Sequence, residues 1–103
     1  MYVVILITAK DKKEAQKIAT GLIKAKLAAC VNIVNKIDSI FFWAGKIDQA
    51  KESLLMIKSK KDKLPSIIKL VKSLHSYDVP EIIALPIIAA DKSYLRWIDA
   101  TLR

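Results

Sequence analysis

Two long apolar-rich stretches, Val31 to Trp43 and Ile47 to Lys58, meet at Trp43-Ala44-Gly45-Lys46. Gly45, lacking a Cβ, permits the positive φ that a tight hairpin, or a type I turn closed by a glycine bulge, requires there. The first stretch carries Val31, Ile33, Val34, Ile37, Ile40, Phe41, Phe42 and Trp43, and the second Ile47, Leu54, Leu55, Met56 and Ile57. β-Branched and aromatic residues of this kind make strands. Fully extended at about 3.3 Å per residue, Val31 to Trp43 would reach about 43 Å. A compact chain of this length has a radius of gyration near 13 Å and a diameter of about 30–35 Å. The hairpin is therefore expected to overhang its own globule. Ile40-Phe41-Phe42-Trp43 leaves neither face of the overhang polar, so cover from another copy of the chain is expected, in a symmetric homo-oligomer. The alternation slips at Val34-Asn35-Lys36, where a bulge or a break is expected.

The remaining elements follow from periodicity. Tyr2 to Thr8 is almost unbroken apolar sequence, the pattern of a strand covered on both faces and central in its sheet. Asp11 and Glu14 place carboxylates at the N-cap and N3 of a helix whose apolar residues recur at Ala15, Ile18, Ala19, Leu22 and Ile23. Asp62 as cap and Pro65 in the first turn open a second helix, with an apolar stripe of Leu64, Ile67, Ile68, Val71 and Leu74. Pro80 and Pro86 bracket the strand around Glu81 to Ile88, which marks it as brief or as an edge. Asp91 caps a closing helix that runs through Trp97 to Leu102. Strand, helix, strand, strand, helix, strand, helix is the order of an α+β, ferredoxin-like split βαβ fold. Its antiparallel four-stranded sheet is joined here by an extra C-terminal helix. One domain over residues 1–103 is expected at this length.

Composition excludes more than it assigns. The net charge of +8 comes almost wholly from lysine, the only arginines being Arg96 and Arg103. Lysines so dispersed, without arginine clamps or stacking aromatics, read as a solvated coat and not as a nucleic-acid surface. No apolar run is long enough to span a membrane, and no basic region precedes the first apolar run. With Cys30 as the only cysteine, an internal disulfide is ruled out and a cytoplasmic, reducing setting is the expectation. Two glycines in the whole chain leave no glycine-rich phosphate loop, and no nucleophile triad or HExxH motif occurs.

The residues left for chemistry are few. Cys30 sits in small apolar company, either as a buried filler or as a thiolate ligand for copper or another thiophilic metal. His75, the sole histidine, ends the second helix, where it either favours the helix dipole or ligates a metal. Together they are too few donors for a closed tetrahedral site in one chain, so a threefold assembly would have to supply more. Asp48, Glu52, Asp78 and Glu81 are carboxylates near turns or the hairpin. Trp43, Tyr77 and Trp97 are aromatics suited to a core, an interface or a stacked ligand.

Several segments taken in order carry a resemblance. Lys26-Leu27-Ala28-Ala29-Cys30-Val31-Asn32, then Phe42-Trp43-Ala44-Gly45-Lys46-Ile47 with Glu52 and Met56-Ile57-Lys58, then His75-Ser76-Tyr77-Asp78-Val79-Pro80-Glu81-Ile82, and lastly Tyr94-Leu95-Arg96-Trp97-Ile98 resemble the CutA-type divalent-cation-tolerance family. The resemblance implies a ferredoxin-like domain assembled as a cytoplasmic homotrimer, and a role in tolerance to divalent metals, copper in particular, with no catalytic residues. It implies Cys30 and His75 as metal ligands, and Trp43, Glu52, Lys58, Tyr77 and Glu81 as the lining of a cleft between subunits. Leu74 stands where other members carry a second histidine, so soft donors are fewer here. The competing expectation is a trimer that binds a small molecule or anion between its subunits, as in the nitrogen-regulatory signalling proteins that this architecture resembles. There Lys58 would attract the anion.

Overall fold

The computed structural model describes residues 1–103. Its strands are β1 (Tyr2–Ala9), β2 (Cys30–Trp43), β3 (Lys46–Lys60) and β4 (Ile82–Pro86), and its helices α1 (Lys12–Lys24), α2 (Leu64–Leu74) and α3 (Lys92–Thr101). The strands form one antiparallel sheet in the order β2-β3-β1-β4. β1 is therefore central and the proline-bracketed β4 is an edge.

The strand period of two separates the faces of the sheet. Val3, Ile5 and Ile7 of β1, with Leu55 and Ile57 of β3, pack beneath Ile18 and Leu22 of α1 and Ile67 and Val71 of α2. All are buried, so the core lies between one sheet face and two helices. The opposite face is only part covered. α3 shields one end of it, burying Ala29, Ile98 and Leu102 against Tyr2 and tying Asp99 to the Tyr2 hydroxyl and Lys60 Nζ at 2.6 and 2.8 Å. Beyond that end, Val34, Met56, Ile83 and Leu85 of the same face stay exposed.

One local expectation is revised. Asp62 does not cap α2: a 3-10 turn over Lys61–Lys63 intervenes, and α2 begins without any side-chain cap. The carboxylates of Asp11 and Glu14 take the N-cap and N3 places expected of them. Asp11 Oδ1 accepts from the Glu14 amide at 2.8 Å, whereas the Glu14 side chain turns away to accept from the amides of Lys10 and Ser76.

The hairpin overhangs as its length requires. β2 has 14 residues and β3 has 15, and the molecule measures 45 × 26 × 22 Å with a radius of gyration of 14.2 Å. Ala44 and Gly45 both have positive φ, 52° and 77°, which makes the connection a two-residue type I′ turn, the turn whose twist matches that of paired strands. At the slip, Asn35 and Lys36 together stand opposite Ser53, with Lys36 at φ 58°. This is a bulge and not a break, since pairing resumes at Ile37↔Glu52 and continues to Trp43↔Lys46.

Candidate functional site

The bulge decides what the hairpin shows to the rest of the subunit. An extra residue in one strand of a period-two ladder exchanges the faces of everything beyond it. After the bulge Ile37, Phe41 and Trp43 share a face with Glu52, Asp48 and Lys46 of β3. Without it, Ile40 and Phe42 would stand there. That face, together with the turn between α2 and β4, encloses a cleft of about 780 Å³. Its hairpin wall includes Phe41, Trp43, Asp48 and Glu52, and its opposite wall Tyr77, Asp78, Val79 and Glu81.

Two features set the chemistry of this cleft. Asp48, Glu52, Asp78 and Glu81 bring four carboxylates to it and no lysine or arginine lines it, so a chain of net charge +8 carries here a pocket of the opposite sign. Its hydrophobic wall is unfinished: Ile40 and Trp43 are both 71% exposed, and nothing in the same subunit covers the tip.

Behind the cleft runs a chain of hydrogen bonds. β4 pairs with β1 only as far as Ile7↔Ile82, and the carbonyl of the next residue, Thr8, lies 2.7 Å from His75 Nε2. The Tyr77 amide donates to His75 Nδ1 at 3.0 Å, and the His75 and Tyr77 rings pack with centroids 4.7 Å apart. The Tyr77 hydroxyl then donates to Glu52 Oε2 at 2.8 Å. Burial first, and the bond to Glu52 second, push the Tyr77 phenol up to about 12. A buried Glu14 lies 3.5 Å from His75 Nδ1.

The residues named from sequence thus separate into two groups. Trp43, Glu52, Tyr77 and Glu81 line the cleft. Lys58 stands outside it, opposite Cys30 in the β2–β3 ladder, with its ammonium bonded to Asn32 Oδ1. Cys30 faces α3, where burial and then the neighbouring thiol raise the Tyr94 phenol above its ordinary value. Cys30 and His75 do not meet. Lys58, opposite Cys30, pairs with Val4, whereas His75 bonds Thr8 four residues along β1, a displacement of about 13 Å. Within one subunit no three His, Cys, Asp or Glu side chains converge closely enough to hold a metal ion. Glu14 was legible in the sequence only as a capping residue, because its role is set by His75 and Ser76, far along the chain. No local pattern signals such a contact.

Residues 3–101 match the family model described as CutA1 divalent ion tolerance protein. A divalent-cation tolerance protein CutA of Pectobacterium atrosepticum is 40% identical over 98% of this chain and 92% of its own length. The protein CutA 1, chloroplastic, of Oryza sativa is 42% identical over 98% of this chain, which spans just 57% of that relative. Among solved structures, the periplasmic divalent cation tolerance protein CutA of Archaeoglobus fulgidus superposes with a TM-score of 0.97 at 44% identity, covering 100% of both chains. CutA1 of Oryza sativa superposes at 0.96 with 41% identity, covering 99% of this chain and 94% of its own.

Proposed function

The chain belongs to the CutA1 divalent ion tolerance family, and from that premise we propose that it works as a homotrimer binding divalent cations in the seams between its subunits. The observation that carries this reading is the cleft itself. Four carboxylates line it, while the aromatic wall beside them is left bare by its own subunit. A neighbouring copy that buried Phe41 and Trp43 would close the cleft and could complete a coordination shell that one subunit leaves open.

The donor set argues for oxygen ligation. Carboxylates suit manganese, magnesium or calcium and also accept zinc or copper(II), whereas copper(I) wants sulfur. Cys30 and His75 do not fit a shared copper site in one subunit, since they lie apart and both ring nitrogens of His75 are already bonded. The anion-binding alternative lacks support at this cleft, because no cationic side chain lines it. We place the protein in the cytoplasm on the strength of its one free thiol, Cys30.

Calorimetric titration with manganese, zinc and copper(II) salts tests the reading. Glu52→Gln should weaken binding and Cys30→Ser should leave it unchanged. Binding that survives Glu52→Gln and vanishes in Cys30→Ser would transfer the site to the thiol.

A further inference from the structure

We propose that His75 is a positioning residue of the cleft and not one of its ligands: its ring locks the turn that carries Tyr77, and so determines where the Tyr77 hydroxyl and the Glu52 carboxylate present themselves. The inference deepens the reading of the cleft as the binding site and rests on it.

The His75 side chain is fully buried, and its two ring nitrogens have partners of opposite kind. A backbone carbonyl such as that of Thr8 only accepts, and a backbone amide such as that of Tyr77 only donates. With Thr8 O at 2.7 Å from Nε2 and the Tyr77 amide at 3.0 Å from Nδ1, these partners assign the neutral tautomer protonated on Nε2. The Nδ1 lone pair, which a metal would need, is already used. Ligation at either nitrogen would break a buried hydrogen bond and strand its partner.

The same two bonds have a mechanical consequence. They fasten the residue after α2 to the central strand at one nitrogen and to the Tyr77 backbone at the other. Glu14 Oε2 accepts from the Ser76 amide at 3.2 Å and pins the intervening peptide from α1. A turn held at residues 75, 76 and 77 leaves the Tyr77 phenol little freedom but to lie beneath the hairpin, where it bonds Glu52. His75 thus acts on the cleft through Tyr77 without entering it, and it is absent from the cleft lining.

Nitrogen-15 NMR of the whole labelled protein tests the assignment directly, because the chain contains one histidine. Near neutral pH the ring should show a protonated Nε2 and an unprotonated Nδ1, and neither signal should move to a coordinated position on titration with zinc chloride. Protonation on Nδ1, or a coordination shift at either nitrogen, overturns the proposal. Replacement series give an independent arm. Loss of one hydrogen-bonded anchor should weaken zinc binding about fivefold in His75→Ala. In His75→Asn an amide oxygen stands near the place of Nδ1 and should restore most of that loss, whereas a ligand role predicts equal loss in both. Should the wild type fail to bind zinc, the cleft reading falls but the positioning role is still judged. The Tyr77 amide proton should be protected from exchange in the wild type and in His75→Asn and unprotected in His75→Ala. Equal protection in all three overturns it.

Discussion

Tyr77 donates its hydroxyl to Glu52 Oε2 at 2.8 Å, and this bond joins the turn after α2 to the root of the hairpin, just past the β2 bulge. It couples a turn without regular structure to the longest strand pair. Because the bond and the burial around it hold the phenol protonated, the contact also carries a pH dependence.

The sign of that dependence follows from the raised value. In the unfolded chain Tyr77 ionises near its ordinary 10, and in the folded chain near about 12. The contribution is therefore complete below pH 10 and is lost as pH rises from 10 to 12. The phenol is partly solvated, so the loss should be about 1 kcal/mol, below the full worth of such a shift. Urea melts taken across that window should show the decline in the wild type and a flatter profile in Tyr77→Phe. Identical slopes would remove Tyr77 as its source.

At the hairpin turn, Ala44 occupies a left-handed conformation, φ 52°, that suits asparagine or glycine far better than alanine. Ala44→Asn should stabilise the protein by about 1 kcal/mol. A destabilised variant in thermal melts would contradict the turn assignment.

The exposed hairpin makes oligomerisation measurable. Light scattering should report about 35 kDa, three times the 11.5 kDa chain. Trp43→Glu places a charge on the bare wall and should shift the mass toward the single chain, with the helical circular dichroism preserved. A wild type that stays at the mass of one chain at micromolar concentration would end the trimer reading.

The bulge offers a sharper test of the same surface. Deleting Lys36 removes the extra residue and leaves Asn35 alone opposite Ser53, while the pairs from Ile37↔Glu52 to Trp43↔Lys46 are kept and Phe41 and Trp43 still face the cleft. Assembly should therefore persist, and the core of Ile5, Ile57 and Ile67 should still fold. A mass that drops to that of one chain would mean that the shape of the bulge, and not only the side-chain phase beyond it, is needed for assembly.

By contrast, truncating that core acts on the fold itself. Ile57→Ala, at a position with no exposed surface, should cost about 2–5 kcal/mol in denaturant unfolding.

Much of the architecture could be read directly. The unbroken apolar run of β1 announced a central strand, the 3.6-residue recurrence of Ile18 and Leu22 announced a sheet-facing helix, and the sheer length of Val31 to Trp43 announced an overhang. Each is a local regularity. Asp62 misled because a short polar residue before a helix signals a cap, while the chain there continues from β3 through a 3-10 turn. Glu14 was read only in part: its place at N3 of α1 was legible locally, whereas Ser76, whose amide its carboxylate accepts from, lies out of sequence reach.

Periodicity, turn chemistry and strand length are carried by residues close together in the chain, so the amino-acid order alone determined the elements, their succession and the bare hairpin. Which carboxylates gather in one cleft, which face the hairpin aromatics take, and what each nitrogen of His75 bonds to were decided only by the tertiary structure. Those relationships join Thr8, Glu14, Glu52, His75 and Tyr77 across three elements and a one-residue bulge. A one-residue change in the register of β2 is enough to exchange the aromatics that the hairpin turns toward Glu52.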